Sequence, residues 1–84
     1  MPLAMRVDYR SRNPGAGVRN FEILPDAIIL EFADRKWRYL YNSERPGPEH
    51  VNNMKRLALE GDGLTTYVNQ HVRENYAAKL PPDD

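Results

Sequence analysis

The chain has 84 residues, a length that holds one small domain with a single hydrophobic core. Its 12 Lys and Arg side chains balance 12 Asp and Glu, so the zero net charge excludes any global electrostatic attraction to nucleic acid or membranes. The absence of cysteine excludes disulfides, thiolate catalysis and cysteine-based zinc sites, and the lack of a secretory signal or a long apolar run predicts a cytoplasmic protein without membrane contact.

Strands are predicted for the first half of the chain. In residues 1–17 we predict a short N-terminal strand, where apolar and charged side chains alternate over residues 5–10, followed by the flexible loop SRNPGAG. Three further strands are predicted at 18–23, 27–32 and 36–41, joined by short turns at 24–26 and 33–35. This order favours an antiparallel meander.

Two helices are predicted after the loop NSERPGP. Pro48 suits the first helical position because its missing N–H would have no partner there, and Gly61 suits a left-handed cap at the end. Asp62 is predicted to cap the second helix, which we extend to Lys79. The stripe at helical spacing in that second helix consists of Leu64, Tyr67, Val68, His71, Val72, Asn75 and Tyr76.

Strands followed by helices favour an α+β domain with three to four strands and both helices packed on one face of the sheet. We assign this single domain to residues 18–80 and expect residues 81–84 to be a disordered acidic tail. The second face of the sheet would then be open to water or to a partner.

The segment KWRYLY, residues 36–41, holds three aromatic and two basic side chains. Because side chains alternate across a strand, Trp37, Tyr39 and Tyr41 point to one face, and Lys36 and Arg38 point to the other. The aromatic rings either form core beneath the helices or present a surface on which unpaired bases stack. We favour the core, because so small a domain has little other apolar area to bury.

A family resemblance rests on the strand pattern Leu30-Glu31-Phe32, on the Tyr-x-Tyr formed by Tyr39 and Tyr41, and on Tyr67, Asn69, Val72 and Tyr76 of YVNQHVRENY. With these motifs, residues 18–76 resemble the KTSC domain family, named for the carboxyl-terminal domain of some lysyl-tRNA synthetases. The family has no established activity. Its attachment to a tRNA-handling enzyme implies RNA binding, and the resemblance implies that this chain is one of the stand-alone copies found in bacteria and phages.

Few side chains suit catalysis or metal binding. His50 is predicted to lie on the surface, and His71 to be a partly buried histidine bonded to a backbone carbonyl or a tyrosine hydroxyl. Ser11 and Ser43 lie in loops without a nucleophile-elbow context, and neither a phosphate-cradling glycine motif nor a metal-ligand spacing occurs. We therefore expect no enzymatic activity, no cofactor and no metal.

Two binding functions stay open, and both are non-enzymatic. The first is binding of single-stranded or structured RNA, since residues 35–45 hold four cations and one anion in a neutral chain. The alternative is a protein-interaction module that uses the open sheet face or a sheet edge. An exposed basic face on KWRYLY favours RNA, and an apolar face favours a protein. The RNA-binding residues would be Arg35, Lys36, Arg38 and Arg45 for phosphates, with Tyr39 and Tyr41 for stacking if they are exposed.

Overall fold

The computed structural model describes residues 6–8, 17–33 and 36–81. The elements in chain order are β1 (Arg6–Asp8), β2 (Val18–Leu24), β3 (Ala27–Phe32), β4 (Arg38–Asn42), α1 (Pro48–Glu60), α2 (Leu64–Tyr67), a π-helical turn (Val68–Val72) and β5 (Ala78–Leu80). The flanks of the predicted N-terminal strand, the loop at 11–16, the turn residues 34–35 and the tail residues 82–84 lie outside the described part.

The five strands form one antiparallel sheet in the order β1-β2-β3-β4-β5. Each strand pairs with the next along the chain, so the predicted meander and the α+β class are confirmed. The fifth strand is new. It follows the helices and pairs with β4 at the sheet edge, so that Ala78 lies opposite Leu40.

The core lies between one face of the sheet and the two helices. In β3, Ile28, Leu30 and Phe32 are buried on this face, as their alternation with Ile29 and Glu31 predicts. Among the described residues, the buried side chains that pack into this core cluster are Val18, Phe21, Ile28, Leu30, Phe32, Tyr39, Tyr41, Val51, Met54, Ala58, Leu64, Val68 and Val72.

Helix α1 begins and ends where the sequence predicts. Pro48 is its first residue, and Gly61 adopts a left-handed conformation with φ 78°, from which its N–H bonds the carbonyls of Leu57 and Ala58. Lys55 fastens the helix to the sheet, because its Nζ donates to the carbonyl of Leu24 at 2.6 Å and to that of Pro25 at 2.9 Å. Both acceptors belong to the β2–β3 turn region, so α1 is held against the sheet at this end.

The second helix is much shorter than predicted. It covers Leu64–Tyr67 and continues only as the π-helical turn Val68–Val72, so the expectation of a helix reaching Lys79 is wrong. The wider turn closes with a 2.7 Å bond from the Arg73 N–H to the Val68 carbonyl. Four residues after Arg73, the N–H of Ala77 donates to the Leu40 carbonyl at 2.7 Å. This bond joins the chain to the edge of the sheet at β4.

The apolar stripe of the second helix divides at the π-helical turn. Leu64, Val68 and Val72 are buried, as the helical spacing predicts. Tyr76 reaches the core from the irregular segment after the turn instead, where its ring packs edge-on against Tyr39 at 4.8 Å between centroids.

Gly63, rather than Asp62, occupies the N-cap position of the second helix, with φ 87°. The chain thus enters this helix through a left-handed residue, a conformation that glycine adopts without the steric cost that a side chain would add.

Candidate functional site

Tyr39 and Tyr41 belong to the core. Their exposed fractions are 4% and 0%, and the Tyr41 hydroxyl donates to the Arg73 carbonyl at 3.0 Å. Phe32 packs edge-on against Tyr39 with 5.7 Å between ring centroids. The preferred prediction for these two tyrosines is confirmed, and the condition under which they would stack bases is not met.

Trp37 differs from the two tyrosines, and the prediction that it is core is wrong. Trp37 precedes β4, whose first paired residue is Arg38. The exposed fraction of Trp37 is 39%. Side chains alternate between the two faces of a sheet only within a paired strand. Trp37 lies outside β4, so this alternation does not place it beneath the helices as it does Tyr39. The ammonium of Lys79 lies 5.4 Å from the indole centroid, which is cation–π distance.

Lys36, Trp37 and Lys79 together form what we call the Trp37 surface. Both lysines are exposed; Lys36 precedes Trp37 in the segment before β4, and Lys79 is the middle residue of β5. The contribution of Lys79 escaped sequence analysis because the residue was assigned to the end of a helix. The alternation of Ala78, Lys79 and Leu80 is the strand signal that would have placed it. Arg35, which was also predicted to bind phosphate, lies outside the described residues.

Arg38 lies on the opposite side of the sheet, which we call the open face. Its Nε donates to the Pro81 carbonyl at 3.2 Å, and its Nη1 lies 3.9 Å from a carboxylate oxygen of Glu22. On the same face Arg19 forms an ion pair with Glu31. Each of these two arginines therefore faces a carboxylate, which weakens the attraction that either has for phosphate.

Apolar side chains separate these charges on the open face. The register places Ile29, Leu40 and Ala78 side by side on adjacent strands, and Leu80 follows opposite Arg38. Leu40, Ala78 and Leu80 are each partly exposed, whereas Ile29 is nearly covered. The face is thus mixed, with an apolar row flanked by paired charges.

Arg45 lies beyond the other end of β4. Its Nε donates to the Asn75 Oδ1 at 3.0 Å, and its loop is ordered by Asn42, whose Oδ1 accepts the N–H groups of Glu44 and Arg45, each at 3.0 Å. Because β4 extends roughly 13 Å, Arg45 lies far from Trp37 at the other end of the strand. Arg38 is next to Trp37 in the chain but lies on the open face. The five predicted RNA-binding residues that the structure describes are therefore not assembled into one site.

Both histidines depart from their predicted environments. His50 is partly buried rather than on the surface, and its Nδ1 lies 2.7 Å from the Tyr67 hydroxyl. His71 is exposed rather than buried on the apolar stripe, because the π-helical turn rotates it to the outside, with its ring centroid 4.5 Å from that of Tyr67. The tyrosine bond predicted for His71 is instead made by His50.

Over residues 6–8, 17–33 and 36–81, no three His, Cys, Asp or Glu side chains lie close enough together to hold a metal ion. No helix in the same part of the chain is long and apolar enough to cross a membrane.

No protein-family model matches the chain, no curated protein matches its sequence, and no solved structure matches its fold. The resemblance to the KTSC family therefore stays a prediction.

Proposed function

We propose that this protein is a small non-enzymatic module that binds single-stranded RNA at the Trp37 surface. The observation that carries the proposal is the exposed indole of Trp37, the only tryptophan of the chain, which has the Lys79 ammonium 5.4 Å from its centroid and the exposed Lys36 as its neighbour in the chain. Proteins bind single strands by combining aromatic rings, on which bases stack, with cations that attract the phosphates. A domain with so little core also loses stability by leaving a large ring exposed, which favours a functional reason for its position.

A single strand fits this surface better than a duplex. Stacking on Trp37 requires an unpaired base, and the ring offers a platform for only one. Two lysine–phosphate contacts would give a slope of log K against log salt of about −1.4, a shallow dependence that agrees with a neutral protein. We therefore expect weak binding with little sequence preference.

Trp37→Ala is expected to weaken RNA binding by about 5- to 150-fold, because one base stack contributes roughly 1–3 kcal/mol. Lys36→Ala and Lys79→Ala should each weaken it less and make the salt slope shallower by about 0.7. Binding is measured by fluorescence anisotropy with a labelled mixed-sequence single-stranded RNA at several salt concentrations.

Arg56→Ala is the matched control, since this cation is exposed on α1 and forms an ion pair with Glu60 in the next turn. Its affinity should equal that of the wild type. A Trp37→Ala variant that is folded and binds within about twofold of the wild type would overturn the proposal.

Self-association through the open face is the second candidate function, and the apolar row of Ile29, Leu40 and Ala78 favours it. A second copy would cover this row and extend pairing from β5 at the sheet edge. We expect a dimer at micromolar concentration in light scattering, and a monomer for Leu40→Arg with unchanged RNA affinity. A wild-type chain that is monomeric at all concentrations would contradict this candidate.

A further inference from the structure

Four polar side chains meet where α1 adjoins the second helical segment. His50 and Asn53 are three residues apart on α1, and Tyr67 and His71 are four residues apart across the α2 end and the π-helical turn. Both spacings place side chains on the same helix face. The three rings form one cluster, with centroid separations of 5.8 Å for His50 and Tyr67, 4.5 Å for Tyr67 and His71, and 6.1 Å between the two imidazoles.

The Tyr67 hydroxyl is the centre of the hydrogen bonding in this cluster. The Asn53 Nδ2, which can only donate, donates to the hydroxyl oxygen at 3.2 Å, and the His50 Nδ1 lies 2.7 Å from the same oxygen. When His50 is protonated at Nδ1, that N–H donates to Tyr67, and Nε2 carries a free lone pair. A metal-binding histidine has this arrangement, with one nitrogen bonded to a polar neighbour and the other available to the ion.

The separation of the imidazoles is compatible with one shared ion. A metal–nitrogen bond of about 2.0–2.1 Å places each ring centroid about 3.2 Å from the metal. Two rings on one ion are then about 5.2 Å apart at a tetrahedral angle and about 6.4 Å apart when they lie opposite each other. The observed 6.1 Å falls within this range, and the His71 side chain is exposed.

We propose that His50 and His71 together bind one divalent transition-metal ion of the class that prefers imidazole, such as Zn²⁺ or Cu²⁺, with Tyr67 as a positioning residue. Water completes the coordination, since no third His, Cys, Asp or Glu side chain of the described residues joins the pair. The two ligands come from different elements, so the ion would also fasten the short second helical segment to α1. This site shares no residue with the Trp37 surface.

The test is a Zn²⁺ titration of the ¹⁵N-labelled protein, with the imidazole nitrogens observed by NMR. We expect signals of His50 and His71 to shift together and to saturate at one equivalent. His50→Ala or His71→Ala should each lower the affinity at least about tenfold, because only one imidazole is left. Tyr67→Phe should lower it by about 10–100-fold and change the tautomer equilibrium of His50 before zinc is added.

Gln70→Ala and Trp37→Ala are the controls, the first at an exposed neighbour in the π-helical turn and the second at the Trp37 surface. Both should bind zinc as the wild type does, whatever their RNA affinity. Separate saturation of the two histidines, or a single histidine variant that binds within about twofold of the wild type, would overturn the site. Wild-type affinity in Tyr67→Phe would overturn the positioning role.

Discussion

Tyr41→Ala is expected to lower the free energy of unfolding by about 3–5 kcal/mol, the usual cost of removing a fully buried aromatic ring. Tyr41 has no exposed surface, and it lies directly opposite Ile28 in the register of β3 and β4. Its ring also packs edge-on against Tyr76, with 6.3 Å between centroids. Since proteins have only roughly 5–15 kcal/mol of stability, this loss would remove a large part of the free energy of unfolding.

Tyr41→Phe separates the hydroxyl from the ring. It preserves the packing but leaves the Arg73 carbonyl without the 3.0 Å bond that orders the chain after the π-helical turn, so we expect a loss of about 1 kcal/mol. Urea denaturation measures both variants. Leu59→Ala is the control, because this leucine is 73% exposed and its loss should cost less than about 0.5 kcal/mol. A cost for Tyr41→Ala as small as that of Leu59→Ala would show that the ring is not core.

The elements that sequence analysis placed correctly are those whose signals are local. Pro48 and Gly61 specify the ends of α1 through their own backbone preferences, whatever the rest of the chain does. The alternation from Ala27 to Phe32 likewise specifies β3, because one set of side chains must reach the core. Such elements are predictable because no distant contact competes with the local preference.

The segment after Val72 was mispredicted because distant contacts determine its conformation. Its residues fit a helical stripe, yet the Ala77 N–H bonds Leu40 on β4, and Ala78–Leu80 gains a full strand pairing there. Tertiary hydrogen bonds thus outweigh helical periodicity.

Distant contacts also determine the side-chain neighbours at the candidate sites. Lys79 contacts Trp37 because β5 pairs with β4, and His50 contacts Tyr67 because the two helical segments pack together. Neither contact can be predicted from the spacing of residues in the sequence. Sequence analysis could identify Lys36 and Arg38 as cations of one strand but not the carboxylate that faces Arg38.

Glu31→Ala is expected to cost about 1–3 kcal/mol, although it removes only one surface-facing carboxylate. One oxygen of Glu31 accepts the Asn20 side-chain N–H at 3.1 Å, and the other pairs with Arg19. Asn20 is only 8% exposed, so its amide would lose a partner that water cannot easily replace. Arg19 is more than half exposed, so its ion pair contributes little to this loss.

The control for Glu31 is Glu60→Ala, which breaks the exposed ion pair with Arg56 one helical turn away and should cost only about 0.3–0.5 kcal/mol. Glu31→Gln keeps a carbonyl oxygen for Asn20 and should retain most of the stability, as measured by urea denaturation. It also leaves Arg19 without its counter-charge. If RNA affinity rises sharply in Glu31→Gln while Trp37→Ala has no effect, the RNA lies on the open face. If Glu31→Gln leaves the RNA affinity unchanged and Trp37→Ala lowers it, the indole contacts the RNA, and the charges of the open face stabilise the fold.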